Sequence, residues 1–288
     1  MKPELQCAPC LLKWVYERAG ILAGEEKRFQ LTRSILKTLS TEFHPETNLG
    51  LITNRIIGVI DEFILQAAPY YDKFKSRSNQ SAKKLLAPAK IFIDQGKTEK
   101  EKFERACRLA SASNVAPIGG PSESFKFQEV ADLLAGRKPL PVIAGNVFEV
   151  AKRARHVLYI ADNAGEIGFD TFLISKLKEM GLRITLLVKD APFFEDATIK
   201  DAVFFHLDRS VDDLLSVKGL FIPTHSPSPL RKALNKADLV ISKGTGNYEA
   251  LQGEVHGKPH IYMLKVKCKP IAAKVGAEMG TFVVKTYT

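Results

Sequence analysis

Acids, amides, lysines and glycines follow the short apolar runs in the second half of this 288-residue chain. Asp162-Asn163-Ala164-Gly165-Glu166 comes after residues 157–160. Lys189-Asp190-Ala191-Pro192 and Glu195-Asp196-Ala197-Thr198 come after residues 184–188. His206-Leu207-Asp208 follows residues 203–205, and Ser242-Lys243-Gly244-Thr245-Gly246-Asn247-Tyr248-Glu249 follows residues 239–241. Lys265-Val266-Lys267-Cys268 follows residues 261–264. In open α/β sheets, ligands bind beyond the carboxyl ends of the strands. Parallel strands would therefore gather these groups along one sheet edge. Carboxylate and amide oxygens suit hard divalent cations. Lysines offset phosphate charge, and glycine loops at helix N-termini offer backbone N–H groups to an anion. The pattern points to metal-assisted phosphate chemistry. Plainer readings stand beside it. Asn163 with Glu166 also spells a helix capping box, and Gly244-Thr245-Gly246 is also a strand-to-helix turn.

Other signatures are missing from the sequence. It has no GxxxxGK[ST] P-loop, and Gly244-x-Gly246 lacks the third glycine of a dinucleotide fingerprint. It has no DxD motif of the aspartyl-phosphate phosphatases. Cys7 and Cys10 form one CxxC, half of a zinc site with no second pair. Their spacing puts both on one helix face. Two small buried residues and a redox or metal role both fit the pair, and the expectation here is a structural one.

The elements that must position these groups fall into two halves. Apolar residues at helical spacing run over residues 11–19, 29–39, 51–65, 81–93 and 103–110. A loop, Pro117-Ile118-Gly119-Gly120-Pro121, precedes a further helix at 127–134. Beyond it, the five apolar runs at 157–160, 184–188, 203–205, 239–241 and 261–264 alternate with helical stretches such as 169–180 and 270–275. Continuous apolar strands separated by helices predict a mostly parallel sheet covered on both faces. The fold class is α/β, with a helical domain over 1–145 and an α/β domain over 146–288.

A composition of 45% hydrophobic and 26% charged residues is that of an ordinary globular protein. No apolar run approaches the roughly 20 residues that span a bilayer, and the expected location is the cytoplasm. The net charge of +10 suits nucleic acid, an anionic membrane or an anionic small substrate. However, the basic residues are spread along the chain, and residues 97–105 alternate in sign like a solvated helix face. The expected partner is a small phosphorylated molecule, with no nucleic acid and no membrane.

Taken in order, several segments resemble the DUF89 damage-control phosphatase family. They are 162–166, Asp196-Ala197-Thr198 after Val188-Lys189, Lys243-Gly244-x-Gly246-Asn247-x-Glu249, and Lys265-x-Lys267-Cys268. Cys7-Ala8-Pro9-Cys10 resembles the hallmark of its CxxC subfamily, found largely in archaea as a stand-alone protein. Pro69-Tyr70 and Ser78-Asn79 are also similar to family positions. The resemblance implies a helical portion packed on a three-layer, Rossmann-like α/β domain, with one divalent cation (Mn²⁺, Ni²⁺, Co²⁺ or Mg²⁺) in the cleft. Asp162, Asn163 and Asp196 match the metal ligands, and Lys267 matches the basic residue of an RTxK phosphate motif. Leu264-Lys265 stands where that motif has Arg-Thr, and Ser113-Asn114-Val115-Ala116 stands where relatives show Gly-Asn-x-Ile-Asp. Glu166, Lys243, Asn247 and Glu249 would serve the substrate, joined by Asn79 and Asn114 from the helical half. The implied activity is metal-dependent hydrolysis of sugar phosphates or nucleotides, with oxidised purine nucleotides or their biosynthetic precursors for the CxxC branch. The rival readings are an S-adenosylmethionine-dependent carboxyl methyltransferase, for which 162–165 is a poor glycine loop, and a basic nucleic-acid-binding protein.

Overall fold

Helices fill the first half of the structure, a computed structural model describing residues 1–120 and 123–288. Pro121 of the predicted loop lies outside the described residues. Helix α1 (Cys7–Leu22) buries Cys7, Leu11, Val15, Arg18 and Ala19, one stripe at intervals of three and four. In α2 (Glu25–Glu42) the stripe is Leu31, Ile35 and Leu39. The apolar pattern expected as one helix over 51–65 divides into α3 (Leu49–Val59) and α4 (Asp61–Lys83). Gly58 weakens the end of the first, and Asp61 and Glu62 favour a new N-terminus at Ile60. The helix expected over 81–93 likewise breaks, into the end of α4 and α5 (Leu86–Asp94). Thr98 caps α6 (Glu99–Ala112) by accepting the Glu101 N–H at 3.1 Å. A short α7 (Gln128–Leu134) closes the series.

The sheet begins at β1 (Val142–Ala144). The chain then alternates: α8 (Val147–Arg153), β2 (His156–Ile160), α9 (Glu166–Glu179), β3 (Arg183–Lys189), α10 (Ile199–Phe204), β4 (Asp213–Val217), α11 (Ser228–Lys236), β5 (Leu239–Lys243), α12 (Thr245–Leu251), β6 (His260–Lys265), α13 (Lys269–Val275) and β7 (Phe282–Tyr287). The strand order is β1-β7-β6-β5-β2-β3-β4. All neighbours are parallel except β6 and β7, so the mostly parallel α/β expectation holds.

Central strands are buried on both faces: every residue of β5, and all of β2 beyond His156. Helices α6 and α9 pack together, with α6 against β6 and β7; α3 and α12 pack together, with α12 against β5 and β6. The sheet is the middle of three layers, and one continuous apolar core runs from Met1 to Val284 across the expected boundary.

One expected strand is a helix. Residues 203–205 end α10, because Asp201 accepts hydrogen bonds from Thr198 N (2.8 Å) and Thr198 Oγ1 (2.9 Å) and fixes a helix N-terminus there. His206-Leu207-Asp208 is consequently a turn with His206 at φ 59°, not a loop at the sheet edge. The strand that does occupy this place is β4, a half-buried edge strand with the mixed sequence Asp-Leu-Leu-Ser-Val.

Candidate active site

The chain leaves β2 through α9 to β3 and β4 on one side, then returns to β5 on the other side of β2. That reversal opens a crevice beyond the carboxyl ends of β2 and β5. The loop after β2 carries Asp162 and Asn163, and the turn after β5 is Gly244. Gly244 has φ 82°, and a Cβ there would lie 2.0 Å from Asp162 Oδ2. The turn is therefore glycine for two reasons, backbone conformation and the approach of a carboxylate.

Backbone hydrogen bonds bring the third group in. Ala197 N donates to Asp162 O (2.8 Å), and Ala164 N donates to Glu195 O (2.9 Å), so residues 163 and 196 form an antiparallel bridge. Asn163 does not cap α9; that position belongs to Gly165. Instead, Asn163 Nδ2 donates to Asp162 Oδ2 (2.7 Å) and Glu166 Oε2 (3.0 Å). Asn114 Nδ2, from the end of α6, donates to the same Asp162 oxygen (2.8 Å) and to Glu166.

These bonds fix polarity. With both amide NH₂ groups pinned, Asn163 Oδ1, Asp162 Oδ1 and Asp196 Oδ1 accept no hydrogen bond among the described residues. Asp196 Oδ2 pairs with buried Lys189 Nζ at 3.4 Å. No three His, Cys, Asp or Glu side chains form a metal cluster among the described residues; the set here is two carboxylates and an amide. Three uncommitted oxygens of that kind fit a hard cation completed by water. Burial, then the Glu166 and Asp196 carboxylates, hold the Asp162 carboxyl well above the usual range. Burial pushes Asp196 up to about 6, opposed by Lys189. A cation would relieve this crowding of negative charge.

Asp162, Asn163 and Asp196 line a cavity of about 250 Å³ that Lys267, Thr245, Gly246 and Glu249 also line. The Lys267 ammonium makes no hydrogen bond or ion pair among the described residues. Burial lowers its pKa, opposed by Asp162 and Glu166. Glu249 is pushed up to about 7 by burial.

Other expected substrate contacts have different places. Lys243 is fully buried between Glu166 Oε1 (2.9 Å) and Asp170 Oδ1 (2.7 Å), so it holds Glu166 rather than meeting an incoming phosphate. Asn247 Nδ2 spans Ala161 O (3.1 Å) and Lys243 O (2.8 Å), tying β2 to β5. Asn79 donates to Asp201 Oδ1 (2.7 Å) and accepts from Gly165 N (2.6 Å), off the cavity wall. Asn114 meets Asp162 rather than the open cavity, and its Oδ1 accepts from Lys265 N at 3.1 Å. Cys7 and Cys10 are free thiols on the cavity wall, beside Cys268. Burial raises all three pKa values, that of Cys10 to about 11.

Several wall residues escaped sequence reasoning. Trp14 and Arg18 looked like ordinary α1 positions, and Phe193, Phe194 and Glu195 like connecting loop. Only the spacing of Trp14 and Arg18 one helical turn apart hinted at a shared task.

The chain as a whole is matched elsewhere. The family model of the damage-control phosphatase ARMT1-like domain matches residues 4–283. The chain belongs to this family. A damage-control phosphatase of Archaeoglobus fulgidus is 32% identical, over 99% of each chain. One of Pyrococcus horikoshii is 27% identical, over 98% of this chain and 97% of the other. The crystal structure of a DUF89 family protein from P. horikoshii superposes with a TM-score of 0.79 at 25% identity, covering all of both chains. That P. horikoshii protein shares this fold from end to end.

Proposed function

We propose that this family member is a divalent-metal-dependent phosphomonoester hydrolase with a damage-control role. Its substrates would be small phosphorylated metabolites, sugar phosphates or nucleotides. The names of the A. fulgidus and P. horikoshii relatives support the phosphatase reading. The observation that carries the metal reading is the trio of oxygens on Asp162, Asn163 and Asp196, uncommitted among the described residues, with the Lys267 ammonium, likewise unpaired among them, on the same cavity wall. Asp162, Asn163 and Asp196 would hold the cation. When bound, Mn²⁺, Ni²⁺, Co²⁺ or Mg²⁺ supplies Lewis acidity to a phosphoryl oxygen.

The chain's own groups supply the rest. Lys267 offsets charge on the equatorial phosphoryl oxygens. Glu249 holds or moves a proton at the cavity wall, since its carboxyl titrates near neutrality. Asn114 and Asn163 orient the Asp162 carboxylate, and Lys243 holds Glu166 in place beneath them. The apolar wall of Trp14, Phe193 and Phe194 excludes water from the remainder of the substrate. The CxxC pair supports membership of the CxxC branch of the family, for which oxidised purine nucleotides or their precursors would be the substrates to try first. Among the described residues no helix is long and apolar enough to cross a membrane, and the cytoplasm is the proposed location.

The test is a screen of phosphomonoesters against each of the four metals, with release of inorganic phosphate as the readout. Phosphate release that EDTA abolishes and that Asp162→Ala lacks is the expected result. No release with any metal, or methyl transfer from S-adenosylmethionine, contradicts the assignment.

A further inference from the structure

Arg18 is an anomaly on helix α1. It sits in the apolar stripe of Leu11, Val15 and Ala19, only 2% exposed. Its guanidinium carbon lies 5.0 Å from the Trp14 ring and 5.3 Å from the Phe194 ring. Nη1 donates to Trp14 O (3.1 Å) and Ile118 O (3.3 Å), and Nη2 pairs with Glu195. A buried ion pair seldom repays its desolvation in stability, so its retention asks for another use.

The use is visible in what Glu195 carries. Glu195 precedes Asp196, its backbone oxygen accepts Ala164 N, and Ala197 N donates to Asp162 O. Phe193 and Phe194, which flank the other side of the pair, pack on the Trp14 ring at 6.1 and 5.5 Å. The segment bearing Asp196 is thus clamped to the Asp162 loop by its backbone and to helix α1 by Arg18. We propose that Arg18 is a positioning residue that sets Asp196 against Asp162 and Asn163, so that a helix of the first half completes the cation site of the second. This rests on the cation reading above. It makes the docking of α1 a condition for tight cation binding.

The experiment is Mn²⁺ titration of the full chain, with free Mn²⁺ counted by electron paramagnetic resonance. The emission of Trp14, the single tryptophan of the chain, is followed in parallel. Arg18→Gln should raise the Mn²⁺ Kd at least tenfold. Arg18→Lys, which keeps the charge but loses the fork that reaches Trp14 O and Ile118 O, should recover part of that loss. Circular dichroism and Tm establish that each variant is folded. Should Arg18→Gln not fold, Glu195→Gln removes the ion pair from the other side with little change of shape and carries the same expectation. A purely structural role would lower Tm and leave Kd alone. Folded variants with a Kd within twofold of wild type overturn the inference by itself. A wild-type chain that binds no Mn²⁺ overturns the cation reading and this one with it.

Discussion

Lys243 and Lys267 look alike in the sequence, each following an apolar strand by a residue or two, yet the structure gives them opposite surroundings. Lys243 has two carboxylate partners and no exposure, and Lys267 has a cavity and no hydrogen-bond or ion-pair partner among the described residues. Removing one member of a buried charge cluster strands the others. Lys243→Met should therefore cost about 3–5 kcal/mol by urea denaturation, much of it returned by adding Asp170→Asn. Lys267→Ala removes a buried cation whose desolvation offsets its attraction to Asp162 and Glu166, so stability should stay near wild type. Its kcat/KM should instead fall about 10²–10³-fold, as for loss of a donor to developing charge. A stable, inactive Lys243→Met beside an unfolded Lys267→Ala would reverse this reading. Gly244 gives a second expectation at this scale. Gly244→Ala places a methyl in the Asp162 carboxylate at a left-handed φ. The expected result is loss of Mn²⁺ binding together with about 1–3 kcal/mol of stability.

At the scale of elements, support for the site comes from helix ends and strand ends that the sequence showed only in part. Asn79 was legible as a polar residue at a family position, but not as a strut. It joins α4 to the Gly165 N–H at the start of α9 and to Asp201, which itself caps α10 and pairs with Lys75 at 3.7 Å. Asn79→Ala should lose about 1–3 kcal/mol of stability by leaving these groups unpaired. Discrimination among substrates in a kcat/KM panel should not move. A selective change of preference at constant Tm would restore a substrate contact for Asn79. The strands that were legible, β2, β3, β5 and β6, are those buried on both faces, whose apolar runs have no other explanation. The illegible ones are the two edges, β1 and β4, and β7, which lies inside the sheet but is only partly buried. In β4 an acid and a serine interrupt the run, while the apolar Val203-Phe204-Phe205 nearby belongs to a helix whose start is decided by Thr198 and Asp201. Metal-ligand candidates were legible because Asp162 and Asn163 directly follow β2 and because, with Asp196, they match family positions. Their wall was not, because Trp14, Arg18 and Phe194 reach them from a helix and a loop far apart in sequence.

At the scale of the whole molecule, strand order decides where the site lies, and no local pattern encodes it: β5 must insert beside β2, so that Gly244 meets Asp162. The β5–β6 seam that makes this possible contains a titratable group with nothing to do with the site. His260 on β6 pairs with Val240 in register, stacks on Tyr262 at 3.7 Å, and shares a 2.8 Å hydrogen bond between Nε2 and Ser242 Oγ. Its Nδ1 is buried with no partner among the described residues. Burial pushes its pKa down from 6.5 to about 3. Because the folded value lies below the unfolded one, the unfolded chain takes up the proton first. The contribution to stability is then fully present above pH 6.5 and is lost as the pH falls towards 3, by up to about 1.4 kcal/mol per pH unit. Buried carboxyls act the other way over part of that window. Asp170 and Asp196, raised to about 6, and Glu249, raised to about 7, bind protons more readily in the folded chain. They stabilise it as the pH drops. The wild-type profile alone mixes both signs, so the comparison must be with His260→Gln, which cannot titrate and retains an amide for Ser242. The expected result is that urea-unfolding free energy between pH 6.5 and 4.5 falls less steeply with acid in His260→Gln than in wild type, the two curves converging as the pH is lowered. Parallel curves over that range would mean that His260 keeps its proton balance on unfolding, and that the acid sensitivity of the seam has another source.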